Sequence, residues 1–520
     1  MKPAPSESAA TSEPHDGRAP SRAATGGATL PLFREDSDAP LPWVALAALT
    51  GLAVLLRTIG IGGELWLDEI HTLIESIRHP LAQIVTVFPD NNQHTLYSVL
   101  AHASIEAFGE QPWSLRLPAL LFGAASPAAL YLLAREFTSR FEALLSGALL
   151  AVSYHGVWFS QNARGYSALA FFALLSSWLL LRALRRGRTT DFLWYAVACA
   201  LGTYTHMTMV FLVMGHAAAC AVRLPPSRGT LSAWRRPLIG FALAAALTLA
   251  LYAPLLLDVQ QFFLKRTMPP AVATPGWALK AVLAGLQLGM STALAAVVGT
   301  ILLLTGLWSY FRQSRFLAAL FVLPAAFTIA AVLALRQPIF PRFLFFLAGF
   351  AVMIVVRGAL EIGARISRRR PDGSSPAPAT LVGTALVGAM VAASAASLPF
   401  DYRYPKQDFE GAMRFVEARR APAEPVATAS GATYPYLRYY GRPWEGVKTL
   451  AQLQQVRARG QRVWVLYTFA DYIQADAPEL MRALRDECAI AGVFRGTVAG
   501  GDVTVCTLPP SNRSADASAR

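Results

Sequence analysis

Two adjacent carboxylates, Asp68 and Glu69, follow the first long apolar run of the sequence, within the stretch LWLDEIHTLI. The apolar residues around them predict an amphipathic helix at the membrane surface, which would hold both carboxylates partly out of water. A carboxylate in such a place can act as a general base on a hydroxyl group or bind a divalent cation. We therefore predict that Asp68 and Glu69 are catalytic. A solvated loop at the end of a membrane helix is the alternative interpretation.

The histidines near these carboxylates are candidate metal ligands. His71 lies at helical spacing from Asp68, so Glu69 and His71 are the candidate ligands of a divalent metal cation, although this helix offers no second histidine. His94 and His206 are candidate substrate-binding residues, with a purely structural polar role as the alternative. The sequence leaves open whether a metal is required.

Two further stretches, SQNARGYS (160–167) and RQPIFPRFL (336–344), place arginines where the positive-inside trend disfavours them. Such an arginine usually has an anionic partner, and the planar guanidinium suits a phosphate group. Snorkelling of the side chain to lipid headgroups is the alternative. The predicted residues for binding the donor phosphate or substrate are Arg164, Arg342, Arg336, Tyr166, His94, His206 and Asn162.

The composition defines the kind of protein that must position these side chains. Of 520 residues, 54% are hydrophobic and 15% are charged, with mean hydropathy +0.40 and net charge +14. Soluble domains carry about 25% charged residues, so the chain is predicted to be an integral membrane protein. Its basic residues lie in short turns between apolar runs rather than along one polar face, which argues against a nucleic-acid partner.

Apolar segments long enough to cross a bilayer recur along the chain and predict a polytopic α-helical membrane protein with about eleven transmembrane helices. Two shorter apolar stretches, Thr95–Phe108 and Trp277–Met290, predict interfacial or re-entrant helices. The predicted spans lie near residues 42–61, 114–134, 142–159, 167–184, 191–205, 207–223, 237–256, 293–311, 316–335, 343–360 and 379–399.

With those two stretches kept on the surface, the arginine-rich turns all fall on one side, which the positive-inside rule assigns to the cytoplasm. The N-terminus is then cytoplasmic. The loop after the first span, the C-terminal region and all the candidate site residues then face the opposite, external side. Ionisable groups collected at helix ends on one face indicate a functional site.

The chain is predicted to contain four parts: a disordered cytoplasmic tail (1–40), a transmembrane catalytic domain (41–400), a periplasmic α/β domain (401–510) and a disordered tail (511–520). A disulfide between Cys488 and Cys506 would suit an oxidising compartment, but the spacing alone leaves the pairing open. The α/β domain has predicted strands at Val426–Ser430, Arg462–Phe469, Val493–Thr497 and Val503–Leu508, and predicted helices at Phe409–Arg419 and Pro478–Glu487.

The ordered set of motifs resembles the GT-C superfamily, and within it the bacterial glycosyltransferases grouped with protein O-mannosyltransferases and lipid A aminoarabinose transferases. The resemblance rests on the acidic pair followed by PWSLRLPALLFGAASPAALYLLAREF, SQNARGYSALAFFALLS, GTYTHMT and FPRFLF, and covers roughly residues 42 to 360. It implies a polyprenyl-phosphate-linked sugar donor and a periplasmic site, with Asp68 as the base and Arg164 and Arg342 at the donor phosphate or acceptor. Where relatives carry Asp-Pro after the third span this chain has ARGY, so an acid role there is absent or replaced.

The predicted function is that of a bacterial inner-membrane hexosyl- or pentosyltransferase that moves a sugar from a polyprenyl-phosphate donor to an envelope acceptor. The acceptor could be lipopolysaccharide, another glycan, a lipid or a protein. A transporter or flippase of a lipid-linked saccharide is the alternative, although transporters favour repeated halves and charges near the bilayer midplane. A non-catalytic membrane scaffold that presents the C-terminal domain is a third interpretation.

Overall fold

The computed structural model describes residues 32–34, 38–90, 92–224, 231–265, 293–334, 340–368 and 379–510. Residues 1–31 and 511–520 of the predicted tails, the predicted helix Trp277–Met290 and the candidate site residue Arg336 lie outside this part of the chain. The described residues form a bundle of long helices followed by a C-terminal domain built on a sheet.

Each of the eleven predicted spans, and the predicted interfacial helix Thr95–Phe108, overlaps helical residues in the described part of the chain. By length and composition, six of the described helices can cross a membrane, or seven if the bent pair α6–α7 counts as one span, so the number of about eleven spans stays a prediction. The helices are α1 (Trp43–Thr58), α2 (Leu67–Thr72), α3 (Leu81–Thr86), α4 (Thr95–Phe108), α5 (Pro112–Ala134), α6 (Arg140–Ala151), α7 (Tyr154–Ser160), α8 (Tyr166–Arg186), α9 (Thr189–Thr205), α10 (Met209–Arg223), α11 (Leu231–Tyr252), α12 (Leu256–Lys265), α13 (Ala293–Gln313), α14 (Arg315–Ala334), α15 (Ala348–Arg368) and α16 (Ala379–Arg403).

Three short helices, α2 to α4, fold the loop between α1 and α5. α2 continues into a π-helical turn, Leu73–Ile77, a feature that often marks functional sites. α4 has 14 residues and is therefore about 21 Å long, too short for a hydrocarbon core of about 30 Å. It thus has the length predicted for an interfacial helix. We call the side of the bundle that carries this loop and the C-terminal domain the outer side.

A bend between α6 and α7 brings a candidate loop to the outer side. The two helices meet at 56°, and a new helix begins at the break, where Ser153 Oγ accepts from Gly156 N–H as the cap of α7. The guanidinium of Arg57 donates to the carbonyl of Ala151 at the break (2.9 Å). α7 then ends at the loop 161–165, which contains Arg164.

The C-terminal domain is a five-stranded mixed sheet in the order β2-β1-β3-β5-β4. β1 pairs in parallel with β2 and β3, whereas β5 pairs antiparallel with β3 and β4. The elements are α17 (Phe409–Glu417), β1 (Val426–Ser430), β2 (Glu445–Val447), α18 (Leu450–Arg457), β3 (Val463–Thr468), α19 (Ala470–Asp476), α20 (Pro478–Asp486), β4 (Ala489–Phe494) and β5 (Val503–Leu508).

The strand predicted at Val493–Thr497 lies earlier in the structure: β4 runs from Ala489 to Phe494. Gly496 lies so close to the chain before α17 that a Cβ atom there would be 2.3 Å from the carbonyl oxygen of Lys406, and Thr497 N–H donates to Pro405 O (2.9 Å). Residues 496 and 497 therefore pair with the start of the domain instead of continuing the strand. β2, α18 and α19 were not predicted from the sequence.

A disulfide and a shared core tie the C-terminal domain together and to the bundle. Cys488 and Cys506 are bonded, which resolves the pairing that their spacing left open. One continuous apolar core contains residues of the α1–α5 loop, such as Ile70 and Tyr97, and residues of the C-terminal domain, such as Phe409 and Tyr436. The domain is thus packed against the helices that carry the acidic pair.

Candidate active site

Asp68 and Arg342, 274 residues apart in the sequence, form an ion pair at the outer side. Arg342 Nη1 donates to Asp68 Oδ2 at 2.7 Å, and the two side chains remain 29% and 16% exposed. Asp68 lies in the first turn of α2, and Arg342 lies in the 3₁₀ turn Pro341–Leu347 that leads into α15. The Arg342 guanidinium also covers the ring of Phe340 (4.4 Å). The pair is accessible, as reacting groups must be.

Arg164 lies beside this pair, fully buried and without a carboxylate within ion-pair distance among the described residues. Its Nη1 donates to Thr72 Oγ1 (2.7 Å) and approaches the backbone carbonyl of Asp68 (3.5 Å). Its Nη2 lies 3.3 Å from Nε2 of His94. Within the described residues, Nε of Arg164 and Nε of Arg342 are both buried without an acceptor. Each of these guanidinium groups therefore has an N–H donor that is free to bind a ligand.

The protonation of His94 adds a further free donor. Burial, then the nearby Arg164, lower the pKa of His94 well below its ordinary value, so the ring is neutral. Gly165 N–H donates to its Nδ1 (2.7 Å), which requires the proton to sit on Nε2. The Nε2–H of His94 and the Nη2–H of Arg164 thus face each other as two donors, an arrangement that an oxygen anion between them would satisfy.

His206 repeats this arrangement. Thr208 N–H donates to its Nδ1 (3.2 Å), and burial together with Arg164 lowers the pKa of His206 to about 3, so its Nε2 also carries the proton. The ring centroid lies 4.7 Å from that of His94. The ring of Tyr166 packs against both histidines, at 4.9 and 5.5 Å. The histidines are therefore held as oriented neutral donors.

Glu69 has a different environment from Asp68. It is fully buried and forms a two-pronged ion pair with Arg116, whose Nε and Nη2 donate to the two carboxylate oxygens at 2.7 and 2.6 Å. Burial alone would raise the pKa of Glu69, but the Arg116 guanidinium outweighs burial and the net pKa is lowered. The same carboxylate accepts from Ala163 N–H (2.6 Å) and Trp66 N–H (3.2 Å). Glu69 therefore joins the start of α2 to the Arg164 loop.

Arg116 was not predicted as a site residue. The stretch PWSLRLP could have indicated it, because a lone arginine in an apolar helix usually has a functional or structural partner. Arg116 also donates to the carbonyls of Ile61, Gly63 and Glu64, at 2.8–2.9 Å. Asn162, a predicted site residue, is buried in the same loop junction and accepts from Trp66 Nε1 (3.1 Å).

The candidate metal ligands are occupied by other partners. Both oxygens of Glu69 are taken by Arg116. His71 Nδ1 lies 3.2 Å from Asn92 Nδ2, and its Nε2 lies 3.5 Å from Asp90 Oδ2. In the part of the chain that the structure describes, no group of three or more His, Cys, Asp or Glu side chains is placed to hold a metal ion. Glu69 and His71 thus do not fit a shared metal site.

Part of the chain is similar to known proteins. A model of the family described as dolichyl-phosphate-mannose-protein mannosyltransferase matches residues 95–257. YkcB of Bacillus subtilis, which carries a mannosyltransferase name, is 28% identical over 107 residues, which is 21% of this chain and 15% of YkcB.

Solved structures extend the comparison to most of the chain. The oligosaccharyltransferase AglB from Archaeoglobus fulgidus, in complex with an inhibitory peptide and a dolichol-phosphate, has a TM-score of 0.50 and 12% identity over 89% of this chain and 74% of its own. ArnT from Cupriavidus metallidurans has a TM-score of 0.48 and 12% identity over 89% of this chain and 97% of its own. The likeness to AglB shows the fold. The chain therefore has a GT-C-like fold, within which residues 95–257 resemble a mannosyltransferase family.

Proposed function

We propose that this protein transfers a sugar from a polyprenyl-phosphate-linked donor to a hydroxyl group of an envelope acceptor, with Asp68 as the general base. One observation carries the proposal: the partly exposed carboxylate of Asp68 pairs with Arg342, and Arg164 approaches the Asp68 backbone. His94 lies beside Arg164, and His206 lies beside His94. Both parts that the chemistry needs, a base and a cradle for a leaving phosphate, are present together.

The residues of this site suit the two halves of the reaction. Asp68 takes the proton from the acceptor hydroxyl, whose oxygen attacks the anomeric carbon of the donor sugar. The bond between that carbon and the phosphate oxygen breaks, and its electron pair leaves with the polyprenyl phosphate. Arg164, His94 and His206 donate to the phosphate oxygens, where negative charge increases during the reaction. Arg342 is shared between Asp68 and the phosphate, because its ion pair is accessible.

For Glu69 we replace the predicted catalytic role with a positioning role. A base must exchange its proton with a substrate, whereas both oxygens of Glu69 are held by Arg116 in a buried pair. Its bonds to Trp66 and Ala163 instead hold the Asp68 helix against the Arg164 loop.

Several features support the proposed donor class and location. The matching family is named for dolichyl-phosphate-mannose, and AglB was solved with a dolichol-phosphate. The Cys488–Cys506 disulfide favours an oxidising compartment for the C-terminal domain, which lies on the same side as Asp68. We therefore propose a multi-pass protein of the bacterial inner membrane with a cytoplasmic N-terminus and a periplasmic site. The acceptor is lipopolysaccharide, another glycan, a lipid or a secreted protein.

The test is sugar transfer by purified protein in lipid nanodiscs, from a panel of labelled hexose and pentose polyprenyl phosphates to isolated envelope fractions. Asp68→Asn should lower turnover by about 10²- to 10⁴-fold, the usual contribution of a general base. Glu106→Gln removes an exposed carboxylate of the same outer loop and should leave turnover unchanged. Undiminished transfer by Asp68→Asn would move the base elsewhere. Movement of intact donor across liposomes without cleavage would instead support a flippase.

A further inference from the structure

Gln407, at the start of the C-terminal domain, is bonded directly to the helix that carries Asp68. It is fully buried, and its Oε1 accepts from the backbone N–H of Leu67 (3.1 Å). Leu67 opens α2, and the first amides of a helix have no acceptor within the helix itself. Gln407 therefore supplies the missing acceptor one residue before Asp68. On its other side, Gln407 Nε2 donates to Thr468 Oγ1 and Gly501 O, both at 3.1 Å.

Lys406, the preceding residue, is bonded to the loop 161–165, which carries Arg164. Its Nζ donates to the carbonyl of Gln161 (2.7 Å), three residues before Arg164, and lies 5.2 Å from the ring centre of Trp158. Trp158 Nε1 in turn donates to Thr497 Oγ1 of the C-terminal domain (2.9 Å). The loop that carries Arg164 is thus fastened to the same short segment as the helix that carries Asp68.

The segment that bears both side chains is itself held by the domain. Thr497 N–H donates to Pro405 O (2.9 Å) and Val498 N–H to Lys406 O (3.1 Å). On the sheet side, Gly431 follows β1 and approaches α2 so closely that a Cβ atom would lie 3.0 Å from Leu67 Cδ2. Residues 405–407 therefore cannot shift without moving the C-terminal domain as well.

We propose that Gln407 and Lys406 are positioning residues of the reaction, Gln407 for Asp68 and Lys406 for Arg164, so that the C-terminal domain is a working part of the active site. This proposal rests on the proposed function of the site. Its physical basis is that a misplacement of about 1 Å can cost about 10²-fold in rate. Gln407 bonds the residue before Asp68, and Lys406 bonds the loop that carries Arg164, three residues before it.

The two residues should give different kinetic signatures. Gln407→Leu removes the bond to Leu67 and should lower kcat by about 10- to 100-fold, with the donor KM within about twofold of wild type, since the base is displaced and the phosphate cradle is not. Lys406→Met keeps the length of the side chain but loses the bond to the Arg164 loop. It should raise the donor KM about 10-fold with a smaller change in kcat, because Arg164 binds the phosphate.

Thr468→Val is the matched control, since it removes one of the two bonds on the far side of Gln407 and leaves its bonds to Gly501 and Leu67. Its kcat should stay close to wild type. If Gln407→Leu and Lys406→Met both lose kcat and donor affinity in parallel, the two residues have a merely structural role and the proposal is overturned. Unchanged kinetics in both variants would overturn it as well. If Gln407→Leu does not fold, an unchanged donor KM in Lys406→Met overturns it. Failure of the wild-type protein to transfer sugar would instead refute the proposed function.

Discussion

At the scale of single residues, the adjacent carboxylates Asp68 and Glu69 differ because of what faces them. Asp68 meets a partly exposed guanidinium, and Glu69 meets a buried one that occupies both of its oxygens. Losing one partner of such a buried ion pair strongly destabilises a protein, because the remaining buried charge has no opposite charge beside it. Glu69 and Arg116 should therefore matter first for stability.

Arg116→Met should lower the free energy of unfolding by about 3–5 kcal/mol, since Glu69 would stay charged, buried and unpaired. Adding Glu69→Gln should restore part of this loss, because a neutral amide can still accept from Trp66 or Ala163. The measurement is the denaturation midpoint of the purified protein in detergent for the single and double variants. Equal instability of both would show that charge compensation is not the reason.

At the scale of elements, the contact between the outer loop and α17 contains a titratable group. Glu64 Oε2 accepts from Glu410 N–H (2.9 Å) and from the hydroxyl of Tyr440 (3.4 Å). Burial, and then the neighbouring carboxylates of Asp408 and Glu410, raise the pKa of Glu64 to about 8. At neutral pH the folded protein thus holds a proton on Glu64 that the unfolded chain releases.

This difference predicts a pH dependence with a definite sign. The stability contributed by Glu64 is fully present below its ordinary pKa of 4.5 and is lost as pH rises from there to about 8, since the folded state binds more protons in that window. Glu64→Gln removes the titration and should flatten the decline in melting temperature between pH 5 and 8. Glu106→Gln serves as the exposed control. An unchanged slope in Glu64→Gln would assign the dependence to other groups.

At the scale of the whole molecule, the candidate site lies between two bodies that share one core. The bundle provides Arg164 and Arg342, the outer loop provides Asp68, and the C-terminal domain closes against that loop. This arrangement requires the site and the C-terminal domain to face the same compartment. The positive-inside distribution of arginines predicts that compartment to be the periplasm.

Cysteine labelling checks this orientation. The native cysteines should add little background labelling, since Cys199 and Cys220 are buried and the other two are joined in a disulfide. Lys448→Cys places a thiol on the exposed surface of the C-terminal domain, and Thr190→Cys places one in the exposed first turn of α9. A membrane-impermeant maleimide should label the first in intact spheroplasts and the second only after permeabilisation. Labelling of both without permeabilisation would contradict the predicted topology.

The sequence by itself determined the long apolar helices, the strands β1, β3 and β5 and the motifs of the site, because hydropathy and periodicity are local properties. Arg164, His94 and His206 were already candidates from their positions at helix ends. Only the tertiary structure decided the partners: which carboxylate faces Arg342, which one Arg116 buries, and that Gln407 supports the start of α2. These outcomes depend on contacts between residues up to 340 positions apart, which no local pattern in the chain encodes.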